Sequence, residues 1–498
     1  MELQFEKKPC RCLKRNVWEV KDQEQTQEVK LPEGMPDIGN ILGAWGQCVM
    51  RSKEWRSDGM NVSGGVMAWV LYAPADGSEP RSMEVWLPVQ VKWSFPDSIR
   101  EGSIRTSWLL KGVDARTLSA RKMMVRANVS VLGEALEPCE EEISTADQVP
   151  EDVQLLKNIY PARLPMEAGE KTFLIDEEFT LNPSDPAPEK LVSYCLVPQV
   201  TEQKVLGGKA VFRGVGNFHM LYQGADGQLH SRDQEISFSQ FSDLDRDYDK
   251  DARISVMMAL SSLEPELQEG HIRLKCGMVA QYLISDTAML ELVEDAYSPN
   301  RQVNVQSREL QLPMMLDQCQ ECMRFDTVIP ESASRIVDVA VCMEQPVLRR
   351  AGDLTEVECN GQVQTLFCDV DGALQGRSAR WSQVWELPVS MDAEVLSVVQ
   401  ATSKPQTAIS GGQINVSGEV QAEAMTVTRQ GMPMVTALEL GETAHPDPAR
   451  PSLILRRAGE GSLWEIAKGA GSTVSAIQKA NGLTGEPLDD RILLIPVS

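Results

Sequence analysis

Aromatic side chains make up only 5% of this 498-residue chain, and histidine is rarer still: His219, His230, His271 and His445 are the whole complement. Imidazoles so dispersed exclude the His-Glu-x-x-His spacing of zinc proteases, and no Gly-x-Ser-x-Gly elbow is present to seat a nucleophilic serine. Gly207-Gly208-Lys209 lacks the rest of a phosphate-binding loop. No apolar run is long enough to cross a bilayer, and the first residues, Met1 to Lys8, hold no apolar core of the kind a secretion signal needs, so a cytoplasmic location is expected. Positive charge is also short, with 48 Lys and Arg against 72 Asp and Glu for a net charge of −24. That field repels phosphate backbones and anionic lipid surfaces, so neither a nucleic-acid partner nor membrane insertion is expected, and basic protein partners are favoured. The 11 cysteines are odd in number and scattered, which fits reduced thiols rather than a disulfide framework.

What the chain does have is internal repetition. Pro32, Pro183 and Pro330 each stand 17 residues before a valine (Val49, Val200, Val347), across the apolar pairs Ile41-Leu42, Leu191-Val192 and Ile336-Val337. An aromatic residue then precedes an Asp-Gly turn in each copy: Tyr72 with Asp76-Gly77, Tyr222 with Asp226-Gly227 and Phe367 with Asp371-Gly372. Asp-Gly between apolar runs is a hairpin signal because both residues tolerate positive φ. Each copy closes on alternating apolar and polar residues, as in Met123 to Val129, Ile272 to Met278 and Ile414 to Val420, the pattern of a half-buried strand. The spacing predicts three antiparallel β-sandwich-like units at 1–145, 146–300 and 301–443. Short connecting helices are expected over Asp152 to Ile159 and Asp286 to Glu294. Residues 444–451 are rich in proline and read as an extended spacer that holds a C-terminal module, 452–498, away from the body.

That module reads as strand, helix, helix, strand. Leu453 to Arg457 is a short apolar run; Ser462 and Glu465 have the spacing of a capping box; Leu463, Ile466, Ala467 and Ala470 recur on one helical face, and Gly471 stops it. Ser472 or Thr473 caps a second helix carrying Val474, Ile477 and Ala480, ended by Asn481-Gly482, and Arg491 to Ile495 closes with Pro496. Its charges balance, so the acidity belongs to the rest of the chain.

The order of these elements, with Leu463-Trp464-Glu465-Ile466-Ala467, Asn481 and the terminal Leu493-x-Ile495-Pro496, resembles the LysM family. That resemblance implies a βααβ fold with a shallow groove that binds N-acetylglucosamine glycans such as peptidoglycan. The groove would be lined here by Glu460, Gly461, Ser462, Leu463, Trp464, Gly482, Leu483 and Thr484. Three β units, with Pro32 to Asp37, Ser52 to Arg56 and Val113 to Arg116 in the first, followed by such a module, are similar to the SPOCS-repeat plus LysM proteins of spore-forming Firmicutes, the SipL-like spore coat morphogenesis proteins. This second resemblance implies a non-catalytic adaptor in spore coat assembly, in the mother-cell cytoplasm at the forespore surface. Its LysM domain would dock on a basal-layer coat protein, an ATPase, while its β repeats self-associate or bind coat proteins. The alternative it leaves open is a peptidoglycan-binding wall or cortex protein.

Other candidate chemistry is thin. Cys319-x-x-Cys322 is half a zinc site without a second pair, and Asp243, Asp245, Asp247, Asp249 and Asp251 put Tyr248 and Ile254 where a calcium loop needs Gly and Glu. No cofactor, no metal and no enzyme activity are expected. Of the Trp-rich first unit, Trp55 and Trp93 are candidates for an exposed patch, and Trp464, beside the apolar helical stripe, for a partner contact.

Overall fold

The computed structural model describes residues 2–146, 149–181, 184–268, 271–352, 354–387, 394–401, 405–428, 431–443, 451–458, 461–485 and 491–497, and it is mainly β. The first set of strands is β1 (Glu2–Gln4), β2 (Glu6–Lys30), β3 (Ile38–Arg56), β4 (Gly59–Pro74), β5 (Arg81–Ser94), β6 (Ser103–Ser119) and β7 (Lys122–Thr145). The second is β8 (Gln154–Phe179), β9 (Pro188–Leu206), β10 (Lys209–Gly224), β11 (Leu229–Asp243), β12 (Arg253–Gln268) and β13 (His271–Tyr297). The third is β14 (Arg301–Gln311), β15 (Met314–Ile329), β16 (Ala333–Met343), β17 (Val347–Ala351), β18 (Leu354–Asp369), β19 (Leu374–Leu387), β20 (Glu394–Ala401), β21 (Gln406–Ser410), β22 (Gln413–Thr428) and β23 (Gly431–Thr443). The tail holds β24 (Leu453–Arg457), α1 (Leu463–Ala470), α2 (Val474–Asn481) and β25 (Ile492–Pro496).

Each set contributes two antiparallel sheets in corresponding orders, β3-β4-β5, β9-β10-β11 and β16-β18-β19 on one side, β2-β7-β6, β8-β13-β12 and β15-β22-β20 on the other, and the third set adds β14-β23 in a further sheet. The Asp-Gly turns sit at matching places, with Gly77, Gly227 and Gly372 at φ 74°, 75° and 83°. This left-handed backbone is the reason glycine is needed there. Within each set the two sheets bury a core between them: Val62 and Val66 face Val125 and Val129, Phe212 and Phe218 face Leu274 and Met278, and Val357 and Val363 face Ile414 and Val416.

Three of the strand breaks in the third set coincide with proline. Where β2, β3 and β6 run unbroken in the first set, the third is divided at Pro313, Pro346 and Pro405, none of which has an N–H to give a ladder. The prolines inside β8, β9 and β12 lie on edge strands, where no second neighbour asks for that donor.

The expected helices at Asp152 to Ile159 and Asp286 to Glu294 are strands instead. They pair with each other in β8 and β13, Ile159 opposite Glu291 and Ala162 opposite Ala288. Leu290 and Leu292 alternate into the interior, so tertiary pairing overrides a weak helical preference.

The sets are not independent. Leu71, Leu221 and Leu366, each one residue before its turn aromatic, meet in one cluster with Trp45 and Leu229, which places the three sets around a common axis. At the far end Ile143, Leu164, Leu292, Leu312 and Met434 share another, and Phe5, Val293 and Leu438 a third. Between them lies a polar layer: Glu134, fully buried, accepts from Arg15 at 2.8 Å and from Arg105 at 2.9 Å. Gln281 meanwhile pairs with both backbone groups of Thr106, at 3.0 and 2.9 Å. The leading strand β1 joins the third set's sheet, Glu2 opposite Glu439, in the order β1-β23-β14. The first set therefore does not keep all its own strands.

Candidate functional site

The C-terminal tail is built by short-range chemistry. The Ser462 hydroxyl accepts from the Glu465 amide at 3.2 Å while the Glu465 carboxylate accepts from the Ser462 amide at 3.0 Å, closing the capping box at the start of α1. Gly471 and Gly482 end the two helices at φ 63° and 62°, the left-handed cap that glycine adopts without penalty. Thr473 caps α2. Asn481 then ties α2 to the closing strand: its amide donates to the Ile477 and Leu494 carbonyls at 2.8 and 2.6 Å, and its oxygen accepts from the Leu494 amide at 2.8 Å. Ile466, Ala467, Ile477, Leu493 and Ile495 are buried in one small core.

The module is not held away from the body. It sits on the end of β13, where the Trp464 indole donates to Asp295 at 2.8 Å and the Lys468 ammonium reaches both oxygens of the same carboxylate, at 2.9 and 2.7 Å. The Tyr297 hydroxyl donates to the Ser472 carbonyl at 2.9 Å, and its ring meets Trp464 edge to face at 4.8 Å. Burial pushes the Tyr297 phenol up to about 12, so it remains a donor. Burial alone would raise the Asp295 carboxyl, but the hydrogen bonds from Lys468 and Trp464 outweigh it and hold the group below the usual carboxylate range. The cause of this contact is in the sequence: Tyr297 and Trp464 carry large apolar surface with one polar atom each, and Asp295 supplies the acceptor.

The residues expected to line a groove divide accordingly. Leu463 is buried, 1% exposed, and packs with Leu483 inside the tail's core; Trp464 faces the body. Ser462, Gly482 and Thr484 are exposed and Gly461 is half-buried. The loops carrying them leave the same end of the β24–β25 ribbon, because the Ala458 amide bonds the Arg491 carbonyl at 2.9 Å. Glu460 lies outside the described residues, as do residues 444–450 of the spacer.

The surface that sequence reasoning missed is the ribbon's outer face. Leu455 is opposite Leu494 and Arg457 opposite Ile492, which aligns Leu453, Leu455, Ile492 and Leu494 on one side with 51%, 66%, 62% and 38% of their surface open. Ile454, Leu493 and Ile495 occupy the inner side. A signal was present: both runs are apolar at successive positions, whereas a two-stranded ribbon with one covered face needs only every second residue apolar.

Elsewhere the candidate chemistry disperses. Cys319 and Cys322 are three apart on β15 and so point to opposite sheet faces. Among the described residues no three His, Cys, Asp or Glu side chains form a group fit for a metal ion. Trp93 is buried, and Trp55 is half-buried, packing on Phe95 with its indole bonded to the Ile99 carbonyl at 3.2 Å; neither belongs to an exposed patch. His219 lies between Asp233 and Asp338, at 2.7 and 2.8 Å, joining the second set to the third.

With this geometry in view, comparison with known proteins gives one assignment. Residues 188–266, from β9 to β12, match the family model described as SipL, SPOCS domain. The part of the second set from β9 to β12 is thus similar to a domain of SipL-like spore coat proteins. No curated protein and no solved structure matches the chain. No helix among the described residues is long and apolar enough to cross a membrane.

Proposed function

We propose that the chain is a non-catalytic adaptor of spore coat assembly, acting at the forespore surface in the mother-cell cytoplasm. In this reading its three β units are SPOCS-type sandwiches that form a rigid frame, and its tail is a LysM-type module that docks on a basal-layer coat protein, an ATPase. The observation that carries the reading is the outer face of the β24–β25 ribbon, four large apolar side chains turned outward on a module whose Trp464 side is already occupied by the body. A module seated that way presents the ribbon, and a buried apolar centre is what a specific protein interface requires. The similarity of residues 188–266 to the SipL SPOCS domain supports the sporulation context. The test is co-purification of the full chain with the basal-layer ATPase, comparing wild type with the Leu455→Asp, Ile492→Asp double variant. Loss of the complex at an unchanged melting temperature supports the reading, and retention of it overturns the ribbon as the docking face.

A second reading, peptidoglycan binding, is favoured by one feature: Ser462, Gly482 and Thr484 are exposed on loops that leave the same end of the ribbon. Co-sedimentation of the full chain with purified peptidoglycan, abolished by Ser462→Trp and unaffected by the ribbon variant, would establish it over the first.

A further inference from the structure

The seam between the second and third sets carries an ion pair with one deeply buried member. On β16 the register slips between Ile336 and Asp338, a bulge that turns Val337 and Asp338 both toward the second set. Val337 joins Leu221 and Leu229 in an apolar cluster, while Asp338 meets Nε2 of His219 on β10 at 2.8 Å. The Asp338 side chain is 1% exposed, and beyond this contact no donor among the described residues reaches its oxygens. A carboxylate so placed needs a cation beside it. Nδ1 of the same ring lies 2.7 Å from Asp233 on β11, the residue directly opposite in register.

A neutral imidazole has one N–H and one lone pair, so with a carboxylate at each ring nitrogen it would aim that lone pair at an anion. The imidazolium has a donor for both. The other charged groups on the strands around it are engaged elsewhere. Arg335 of β16 reaches the Leu229 carbonyl and the Cys368 sulfur, at 3.4 and 3.9 Å, and Arg232 of β11 pairs with Asp185 at 3.5 Å. His230, also on β11, meets Asp226 at 2.9 Å. On β9, Cys195 stands opposite His219. The adjacent Tyr194 phenol, pushed up to about 12 mainly by burial, keeps its proton and lies 3.5 Å from Glu84 of the first set. On β18 the residue opposite Asp338 is the uncharged Leu366. Among the described residues, His219 is thus the one cation that pairs with Asp338.

We infer that His219 is a pH-sensitive bolt between the second and third sets, bridging Asp233 and Asp338 as the imidazolium and releasing the seam when rising pH takes its proton. The folded protein holds a proton that the unfolded chain, whose histidines titrate near about pH 6.5, gives up. The contribution of the bridge is therefore complete below that pH and is lost as the pH rises through the folded-state titration point. Because Leu221, Leu229 and Val337 remain packed across the seam, its loss loosens the joint and does not part it.

The experiment follows the imidazole Cε1 signals of the full-length protein, labelled on histidine, as the pH is raised. Only four histidines are present, and His219→Gln identifies the signal in question. That signal is expected to titrate about one pH unit or more above the ordinary value near 6.5, about a tenfold gain in proton affinity, and Asp338→Asn should remove most of the gain. The urea midpoint of wild type should fall between about pH 6 and about pH 8. Asp338→Asn should flatten that fall, and His230→Gln should leave it in place. A His219 signal that titrates at or below about 6.5 overturns the inference, as does a gain that Asp338→Asn leaves intact. Should Asp338→Asn not fold, the wild-type titration decides alone.

Discussion

In the body, the contacts that define the fold join residues far apart in the chain: Glu2 opposite Glu439, Lys7 opposite Ser144, Gln154 opposite Tyr297. In the tail many join residues three or four apart, Ser462 to Glu465, Thr473 to Ala476, Asn481 to Ile477, and even the longest strand pairing, Leu453 opposite Pro496, stays within the module. Two kinds of stability result. The body is one cooperative object, because shared cores at both ends of its axis draw side chains from all three sets. The tail owns a small core and borrows the rest of its order from Asp295 and Tyr297 at the end of β13. The contrast sets what each change should do.

The largest effect is expected in the polar layer. Glu134→Ala leaves the Arg105 and Arg15 guanidiniums without the carboxylate that both use, a loss of about 3–5 kcal/mol. Urea unfolding should show one shifted transition for all three sets, and separate transitions would break the picture of a joint body. Next, Asp295→Ala removes the acceptor of Trp464 and Lys468, for about 1–3 kcal/mol of docking. Hydrogen exchange should rise across α1 and α2 while the body's unfolding midpoint stays in place. The same carboxylate gives a pH signature. Because its folded-state pKa is depressed, its contribution is present above the unfolded value, near pH 4 for an Asp, and is lost as the pH falls through the folded value. Acid titration followed by tryptophan fluorescence should report release of the tail below about pH 4, and Asp295→Asn should flatten that transition. The smallest effect is Ser462→Ala, about 1 kcal/mol from a lost helix cap, visible in exchange at the start of α1 and nowhere in the body.

The same contrast governs how much of the molecule was legible in its sequence. Turn and cap chemistry is local, so Gly77, Gly227, Gly372, Ser462, Gly471 and Gly482 announced their places through residue type alone. Strand alternation in β7, β13 and β22 was equally plain. The stretches Asp152 to Ile159 and Asp286 to Glu294 were misread because neither contains the information that the other lies beside it, and pairing at that distance decides the outcome. The same blind spot hid the dock: Asp295 and Tyr297 belong to a segment whose strand end was not foreseen, so nothing connected them to Trp464. The ribbon's outward leucines were visible in doubly apolar runs, which were read only as strands.

The pairing of Glu2–Gln4 with β23 has a consequence for the order of assembly. During synthesis this strand emerges long before Leu438 and Glu439 exist, so it must stay unmatched at the ribosome while the first two sets take shape. Only when the last strand of the third arrives is the ring sealed, and a nascent chain stalled before that point would carry an open seam at its beginning.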